Sequence, residues 1–406
     1  MKKVLFVAII ATLIAVGCEK TEIINPNLGT EILFSPELGK LTKAEGGDPT
    51  TLQEQGFKVT AIMAYDDPYT TGEGKNEFGQ IYDGISNTPF GYTEGTGWAP
   101  TGTVKQYWWP GTDKELVFVA ISSKGNIVSM PAIYDDTDNP SGLRITETTQ
   151  TVDDTQVKNI TMSPYKIEGF EVTPAATTTP EGQTTPSHTI PDDDLMIADA
   201  VKQDQSDNNK VVDLKFRHTL SKVQFIFVTN AQSNNGGGTG EEEPEQQAEE
   251  TIEVEVNSIK VAGIVSKGDL TVTPIWEEGA LLSSYYNGED EKTDTFVWEP
   301  STVATDKKEY SITKNLVLTT EKKDYATWLV IPQTIKDSNT TELKVEIAYT
   351  INDREFTSIL PLSTETLTKW GVNQYIKYTI NLSPNLITFN PSVEDWSNPT
   401  DVEHNN

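Results

Sequence analysis

Short segments with apolar residues at every second position recur along the chain and predict β-strands. The run from Phe57 to Tyr65 is apolar at its odd positions, and Leu116–Ser122 is an apolar run bounded by turn residues. A period of two places alternate side chains on one face of a strand. No segment of comparable length has a convincing apolar period of 3.6 residues, so helix is expected to be minor. Further alternating segments lie at 212–227, 252–261, 343–349 and 376–382.

The alternation changes phase inside the segment VVDLKFRHTLSKVQFIF. The residues expected to face inward occupy even positions from 212 to 220 and odd positions from 223 to 227. A one-residue slip turns the faces of a strand over, so the sequence predicts a bulge or bend at Ser221-Lys222. Another phase change lies between 256 and 259.

Polar stretches divide these strands into two blocks of roughly 150–200 residues. Residues 173–194 are rich in Thr and Pro with almost no apolar content, which predicts a loop or linker near a domain junction. Residues 231–251 are rich in Gly, Gln and Glu and predict a solvated insertion between strands. Repeated short strands separated by turns indicate an all-β fold of two β-sandwich domains in tandem, over residues 44–200 and 201–406.

The beginning of the chain has the features of an export signal. Two lysines precede an apolar run from Val4 to Val16, which is shorter than the roughly 20 residues of a transmembrane helix. Residues 1–17 are therefore predicted to be a signal peptide. Cys18, the only cysteine, follows directly, so no intramolecular disulfide can form. Its position resembles the lipobox of bacterial lipoproteins, in which the cysteine is acylated; the alternative is an ordinary secretory signal with an incidental cysteine.

Residues 18–43 are predicted to be a detachable leader. A single apolar patch, Ile32 to Phe34, lies between polar stretches that contain Gly and Pro. This patch predicts one short strand.

The charge of the chain limits its partners. The sequence has 61 Asp and Glu against 31 Lys and Arg among 406 residues, which gives a formal net charge of −30. Phosphate backbones are bound mainly by Lys and Arg, so nucleic acid is excluded as a partner. A hydrophobic content of 36% with 9% aromatic residues is sufficient for a core, so the chain is not a disordered acidic one.

Residues suited to catalysis or metal binding are scarce. Of three histidines, His188 and His404 fall in a predicted loop and the tail, and His218 lies on an apolar strand face as an expected core residue. The HExxH, CxxC, GxSxG and phosphate-loop motifs do not occur, so no enzyme, cofactor or metal site is predicted. The acidic run 135–140 superficially suggests calcium, but Pro140 breaks the EF-hand spacing. A carboxylate pair for glycoside hydrolysis stays open, because sequence does not give the distance between two carboxylates.

Three tryptophans are candidates for stacking on sugar rings. Trp98 and Trp108 are the residues we single out, and Trp109 directly follows Trp108. Adjacent side chains of a strand point to opposite faces, so at least one of the neighbouring pair is expected in the core. Core packing and ligand stacking therefore both stay open for these side chains.

Several segments together resemble the fimbrillin (Mfa-like) family of Bacteroidetes, lipoproteins that include the pilins of strand-exchange fimbriae. Each segment by itself is weak evidence of membership, but together the segments follow the family's order over nearly the whole chain. They are the lipobox at Cys18, ILFS at 32–35, LTKA at 41–44, FKVTAIMAY at 57–65, YWWP at 107–110, LVFVAIS at 116–122, DLMIA at 194–198, FRHTLSKV at 216–223, LVIPQ at 329–333, WGVNQY at 370–375 and VEDW at 393–396.

The resemblance implies a fold and an assembly mechanism. It implies transthyretin-like sandwich domains, a lipid on Cys18 that holds the protein at the outer membrane, and a surface protease that removes the leader with its first strand. Other fimbrial subunits would then be partners by strand addition. A host protein or glycan receptor is a further partner that adhesion implies.

The implied cleavage position is Lys43-Ala44, where many relatives carry arginine. Either a lysine-tolerant protease acts there, or the leader is kept, which would suit an anchor subunit. The segment from Ile387 to Trp396 is either the last domain strand or part of a donor segment. The alternative to a fimbrial subunit is a monomeric surface lipoprotein that binds glycans through Trp98 or Trp108.

Overall fold

The computed structural model describes residues 30–38, 49–65, 78–102, 106–111, 114–124, 128–135, 137–152, 155–172, 194–205, 211–230, 252–274, 295–336, 342–383 and 387–395. Nearly all regular structure in these ranges is β-strand, which confirms the predicted all-β class. The ranges contain one α-helix, α1 (Pro49–Gln55), and a 3₁₀ turn, Ala304–Asp306. No helix within them is long and apolar enough to cross a membrane.

Twenty-three strands follow one another in the described parts of the chain. In order they are β1 (Leu33–Leu38), β2 (Phe57–Met63), β3 (Thr88–Thr93), β4 (Gly97–Pro100), β5 (Leu116–Ser122), β6 (Ile145–Val152), β7 (Thr155–Met162), β8 (Tyr165–Glu171), β9 (Met196–Ala198), β10 (Val201–Gln203), β11 (Val211–His218), β12 (Ser221–Val228), β13 (Val254–Val265), β14 (Lys267–Val272), β15 (Phe296–Pro300), β16 (Lys307–Val317), β17 (Lys323–Val330), β18 (Gln333–Thr334), β19 (Lys344–Ile351), β20 (Arg354–Pro361), β21 (Lys369–Trp370), β22 (Gln374–Leu382) and β23 (Ile387–Asp395).

The largest sheet has eight strands in the order β1-β11-β9-β5-β2-β3-β4, with β10 also paired to β5. Its central strand β5 has the predicted bounds and is buried along its whole length. Alternate residues of β5 enter two different hydrophobic cores, one on each face of the sheet. Burial on both faces explains why this strand is a continuous apolar run instead of an alternating one.

Two four-stranded sheets enclose a third core. Their orders are β17-β12-β22-β23 and β16-β13-β19-β20. The inward residues of the two sheets form one cluster that includes Phe225, Tyr310 and Tyr378. A further sheet, β15-β14-β8, and the hairpin β6-β7 contribute to the core on one face of the eight-stranded sheet.

Both predicted phase changes coincide with breaks in strand regularity. At the first, the chain leaves the eight-stranded sheet at the end of β11 and, after two connecting residues, enters another sheet with β12. The connecting Thr219 accepts a hydrogen bond at its carbonyl from Trp298 Nε1, 2.7 Å away. At the second, the register of β13 shifts between Val256 and Ser258.

Strands that precede residue 200 in the sequence are hydrogen-bonded to strands that follow it. Strands β10 and β11 follow that residue but join the sheet of β1 to β5, and β14 and β15 pair with the earlier strand β8. The division into two tandem transthyretin-like sandwiches, at 44–200 and 201–406, stays a prediction. The predicted linker at 173–194 lies almost wholly outside the described residues, and the insertion 231–251 lies entirely outside them.

Candidate functional site

The first strand lies at an edge of the eight-stranded sheet. It pairs in parallel with β11, with Cα partners running from Leu33 with Val211 to Leu38 with Phe216. The predicted strand of the leader therefore forms, beginning one residue later than the patch that indicated it. Through this pairing the N-terminal segment contacts a strand that follows it by almost 180 residues.

A second segment holds the beginning of this strand from the other side. The backbone N–H of Ile32 donates to the carbonyl of Tyr107 at 2.8 Å, and the N–H of Trp109 donates to the carbonyl of Thr30 at 2.8 Å. Strand β1 therefore lies in a groove. The groove is bounded by β11 along one side and by residues 107–109 on the other side, beside the start of β1.

The side chains of Ile32, which directly precedes β1, and of the first two residues of β1 alternate between core and solvent. Leu33 is 48% exposed, whereas Ile32 is 4% exposed and Phe34 is 8% exposed. The buried face joins the core that also contains residues of β2, β5 and β11. The strand thus closes a hydrophobic interior as an integral part of it.

Phe34 enters a pocket of three phenylalanines. Its ring centroid lies 4.9 Å from that of Phe90, 5.6 Å from that of Phe118 and 6.3 Å from that of Phe57, all in edge-on arrangements. Phe57 and Phe90 stack on each other at 5.4 Å. Edge-on aromatic pairs contribute about 0.5–1.5 kcal/mol beyond their buried area, so this pocket favours an aromatic side chain.

Two buried pairs of polar side chains fix the end of β11 to residues that flank β9. His218 Nδ1 lies 2.8 Å from Asp194 Oδ2, and the guanidinium of Arg217 pairs with the Asp199 carboxylate. Arg217 also lies over the ring of Phe296 at 4.6 Å. His218 is a buried and partnered residue, as its sequence position predicted. These pairs hold the strand against which β1 lies.

The predicted stacking tryptophans are partly covered by protein. Trp98 is half-buried, and its ring centroid lies 4.9 Å from that of Phe57. Trp108 is half-buried too, whereas Trp109 is only 2% exposed and enters the core. Glycan stacking by Trp98 or Trp108 stays a prediction.

The carbonyl of Trp108 is held by a tyrosine. Tyr82 donates its hydroxyl proton to that oxygen at 2.6 Å. Burial, and secondarily the nearby charge of Asp83, raises the pKa of Tyr82 to about 12. The neutral phenol therefore persists well above neutral pH and keeps the 107–109 segment beside β1.

The residues predicted for lipidation and proteolytic maturation lie outside the described residues. Cys18 precedes them, and Lys43 and Ala44 fall between the end of β1 at Leu38 and the start of α1 at Pro49. In sequence, the predicted cleavage position thus separates β1 from every later strand.

The acidic run considered for calcium forms a turn. Asp135 Oδ1 accepts backbone N–H groups of Thr137 at 2.8 Å and of Asp138 at 2.9 Å. These bonds, with that from Asp138 the larger influence, lower the pKa of Asp135. Over the described part of the chain, no group of three His, Cys, Asp or Glu side chains is arranged to hold a metal ion.

The C-terminal strand β23 is an edge strand with a pattern that sequence reasoning missed. It pairs antiparallel with β22, and the ring of Phe389 stacks on Tyr378 with centroids 5.1 Å apart. Its sequence from 387 is ITFNP, and the sequence from 32, at the start of β1, is ILFSP. Both follow the pattern Ile-x-Phe-x-Pro, and proline is confined mainly to edge strands because it has no N–H to donate. Aligning the two termini would have revealed this repeat.

Comparison with solved structures finds bacterial surface proteins of low sequence identity. A fimbrial protein from Bacteroides vulgatus is 16% identical, with 90% of this chain and 100% of that chain covered and a TM-score of 0.45. A fimbrial assembly protein from Parabacteroides distasonis is 12% identical, with 90% and 99% covered and a TM-score of 0.34. No curated protein matches the chain.

A family model gives the assignment. The model described as fimbrillin-like matches residues 42–396, which is most of the chain and includes the motifs that carried the resemblance from residue 57 onward. The chain belongs to the fimbrillin-like family.

Proposed function

We propose that this protein is a structural subunit of a cell-surface fimbria, assembled by donor-strand exchange after proteolytic removal of its leader. Membership of the fimbrillin-like family supports a fimbrial structural role, which requires no catalytic site. The observation that carries the exchange mechanism is the position of β1, an edge strand whose buried face completes a core.

Cleavage at Lys43-Ala44 would convert β1 into a separate peptide. The strand would then be held only by its hydrogen bonds to β11 and to residues 107–109 and by the burial of Ile32 and Phe34. Its departure would expose unpaired backbone groups and the phenylalanine pocket. An edge of this kind binds another extended segment by strand addition.

The C-terminal strand of a neighbouring subunit is the donor that we propose. With the Ile-x-Phe-x-Pro pattern in register, Phe389 would occupy the pocket of Phe34, and Ile387 would occupy the site of Ile32. Pro391 would take the place of Pro36, where β1 already accommodates proline. Both strands are sheet edges, so donation would break pairing on one side of β23 only.

If the leader is not cleaved off, this subunit would suit the role of an anchor. The family resemblance implies arginine at this position in many relatives, so a protease specific for arginine would not cut after Lys43 and would leave β1 in its groove. The lipid predicted on Cys18 would then hold the subunit at the outer membrane, and the C-terminal strand would still be available for a partner subunit.

A variant at the cleavage position tests the maturation step. Lys43→Ala should keep the leader attached and abolish strand-exchanged oligomers at the cell surface. Lys40→Ala is the matched control, because it removes the same charge three residues away and leaves the Lys43-Ala44 bond intact. Unchanged oligomers of the Lys43→Ala protein would contradict cleavage there.

The second candidate function is glycan binding by a monomeric surface lipoprotein. Trp98 and Tyr92 adjoin each other on the β3-β4 hairpin with ring centroids 5.4 Å apart, and Tyr92 is 37% exposed. Calorimetry of the folded protein against host and plant polysaccharides tests this function. Absence of heat with every polysaccharide would remove its main support.

A further inference from the structure

Strand β20 is an edge strand whose central part lacks the usual protection against pairing. Within the described residues it is hydrogen-bonded on one side only, to β19, through eight consecutive residue pairs without a bulge. From Phe356 to Pro361 it has no charged side chain. Phe356 is 42% exposed and Ile359 is 60% exposed. A regular edge with an uncharged central part and two exposed apolar side chains is a template for another strand.

Other edges in the described structure carry features that oppose pairing. Strand β16 has the charged Lys314 in its interior, β23 has Pro391 in its interior, and β4 is only four residues long. Strand β20 is longer, and its charged residues and its proline lie only at its two ends. Charges, proline and short length are the devices by which edge strands avoid one another. Their absence from the central part of β20 distinguishes this edge from those of β16, β23 and β4.

The contacts of β20 show which of its side chains face the core. Phe356 stacks on Tyr349 with ring centroids 5.5 Å apart, and Leu360 packs against the core, so even positions face inward. Ile359 and Thr357 therefore lie on the outer face, because side chains alternate along a strand.

The sequence of β20 is complementary to itself in an antiparallel arrangement. With a two-fold axis at Ser358, Phe356 lies opposite Leu360 of the second copy and Thr357 lies opposite Ile359 of the second copy. Directly opposed residues share a face, so both exposed apolar side chains gain an uncharged neighbour. An axis at Thr357 would instead set Ile359 against Glu355 of the second copy.

We propose that β20 is a homotypic docking surface, through which two copies of this chain join their sheets around an axis at Ser358. Such an isologous interface closes after two copies, because pairing covers both β20 edges. The copies each carry a formal charge of −30, so their general repulsion is screened by salt and association should strengthen as ionic strength rises. This pairing requires no leader removal and is independent of strand exchange at the β1 groove.

Cysteine cross-linking tests the axis directly. In the full chain carrying Cys18→Ser, Ser358→Cys would place two thiols opposite each other, with Cα atoms about 4.5–5.5 Å apart, which is within disulfide range. Mild oxidation should therefore yield a covalent dimer. Val303→Cys is the control, because Val303 is 55% exposed and lies outside β20. Cross-linking of Ser358→Cys no faster than that of Val303→Cys would overturn the proposal.

Sedimentation velocity of the uncleaved Cys18→Ser chain tests the same interface without a cross-link. A monomer–dimer equilibrium is expected, and Ile359→Lys should weaken it by at least about tenfold because each substitution counts twice at a two-fold interface. Val303→Lys adds the same charge to an exposed aliphatic position and should leave the equilibrium unchanged. Sedimentation as a monomer at every concentration and salt level, or equal effects of the two lysines, would contradict the interface.

Discussion

The ring of Phe34 on β1 lies 4.9 Å from the ring of Phe90 on β3, with an angle of 70° between their planes. These strands are near opposite ends of the eight-stranded sheet, and β1 also contacts the last strand, β4. The sheet therefore curls until its two ends approach each other. Strand β1 is hydrogen-bonded at the edge of the sheet, but its buried side chains pack against residues from both ends of the sheet.

Truncation of Phe34 should destabilise the uncleaved protein strongly. Phe34→Ala empties a pocket of three phenylalanines, and core substitutions of this kind cost about 3–5 kcal/mol. Leu33→Ala is the control on the same strand, since Leu33 is 48% exposed, and it should change the free energy of unfolding by less than about 0.5 kcal/mol. Urea denaturation measures both. Equal effects of the two variants would mean that β1 does not complete the core.

The buried pair of Asp199 and Arg217 should be essential to the strand that receives β1. Their side chains are 3% and 15% exposed, so Asp199→Asn would leave a guanidinium buried without its counter-charge and cost about 3–5 kcal/mol. Glu346→Gln breaks the exposed pair with Lys260 and should cost less than about 1 kcal/mol. Thermal unfolding followed by circular dichroism compares the melting temperatures of the two variants. Similar decreases in both would contradict a special role of the buried pair.

Alkaline pH should act on the segment beside β1 through Tyr82. Its pKa rises from 10.0 to about 12 on folding, so the stability that the neutral phenol contributes is complete below pH 10. It is lost as the pH rises from about 10 to about 12, because the unfolded tyrosine ionises first. The Tyr82→Phe protein lacks this loss, so its stability deficit relative to the wild type should shrink across that interval. Urea midpoints at pH 8 and pH 11 measure the change, and a constant deficit would argue against it.

Binding of synthetic peptides should show which side chains the β1 groove recognises. After cleavage and removal of the leader, a peptide of residues 386–395 should bind the protein, as should one of residues 30–38. Substituting Phe389 by alanine in the first peptide should weaken binding by at least about tenfold, because the phenylalanine pocket stays empty. Substituting Thr388, which projects from the other face of the strand, is the control. Retained affinity of the Phe389→Ala peptide would refute donation by β23.

Periodicity predicted individual strands better than their partners. It gave β5 its bounds and the phase change after His218, since both depend only on which side chains face a core. The parallel pairing of β1 with β11 was not predictable in this way, because alternation identifies a buried face and not the strand beside it. The boundary expected at residue 200 stays a prediction; composition could not indicate that β9 and β11, on either side of that residue, are hydrogen-bonded to each other.

An unboiled denaturing gel of outer-surface fractions, probed for this protein beside a boiled control, tests strand exchange most directly. A donor strand pairs with its groove along a continuous ladder of main-chain hydrogen bonds, at about 3.3 Å per residue, and buries apolar side chains there, so we expect exchanged oligomers to dissociate slowly in detergent until they are heated. We expect a ladder of subunit multiples that collapses on boiling to one band at the mass of the protein without its leader. A single band at the full lipoprotein mass in both lanes would contradict it, because the leader strand would still occupy its groove.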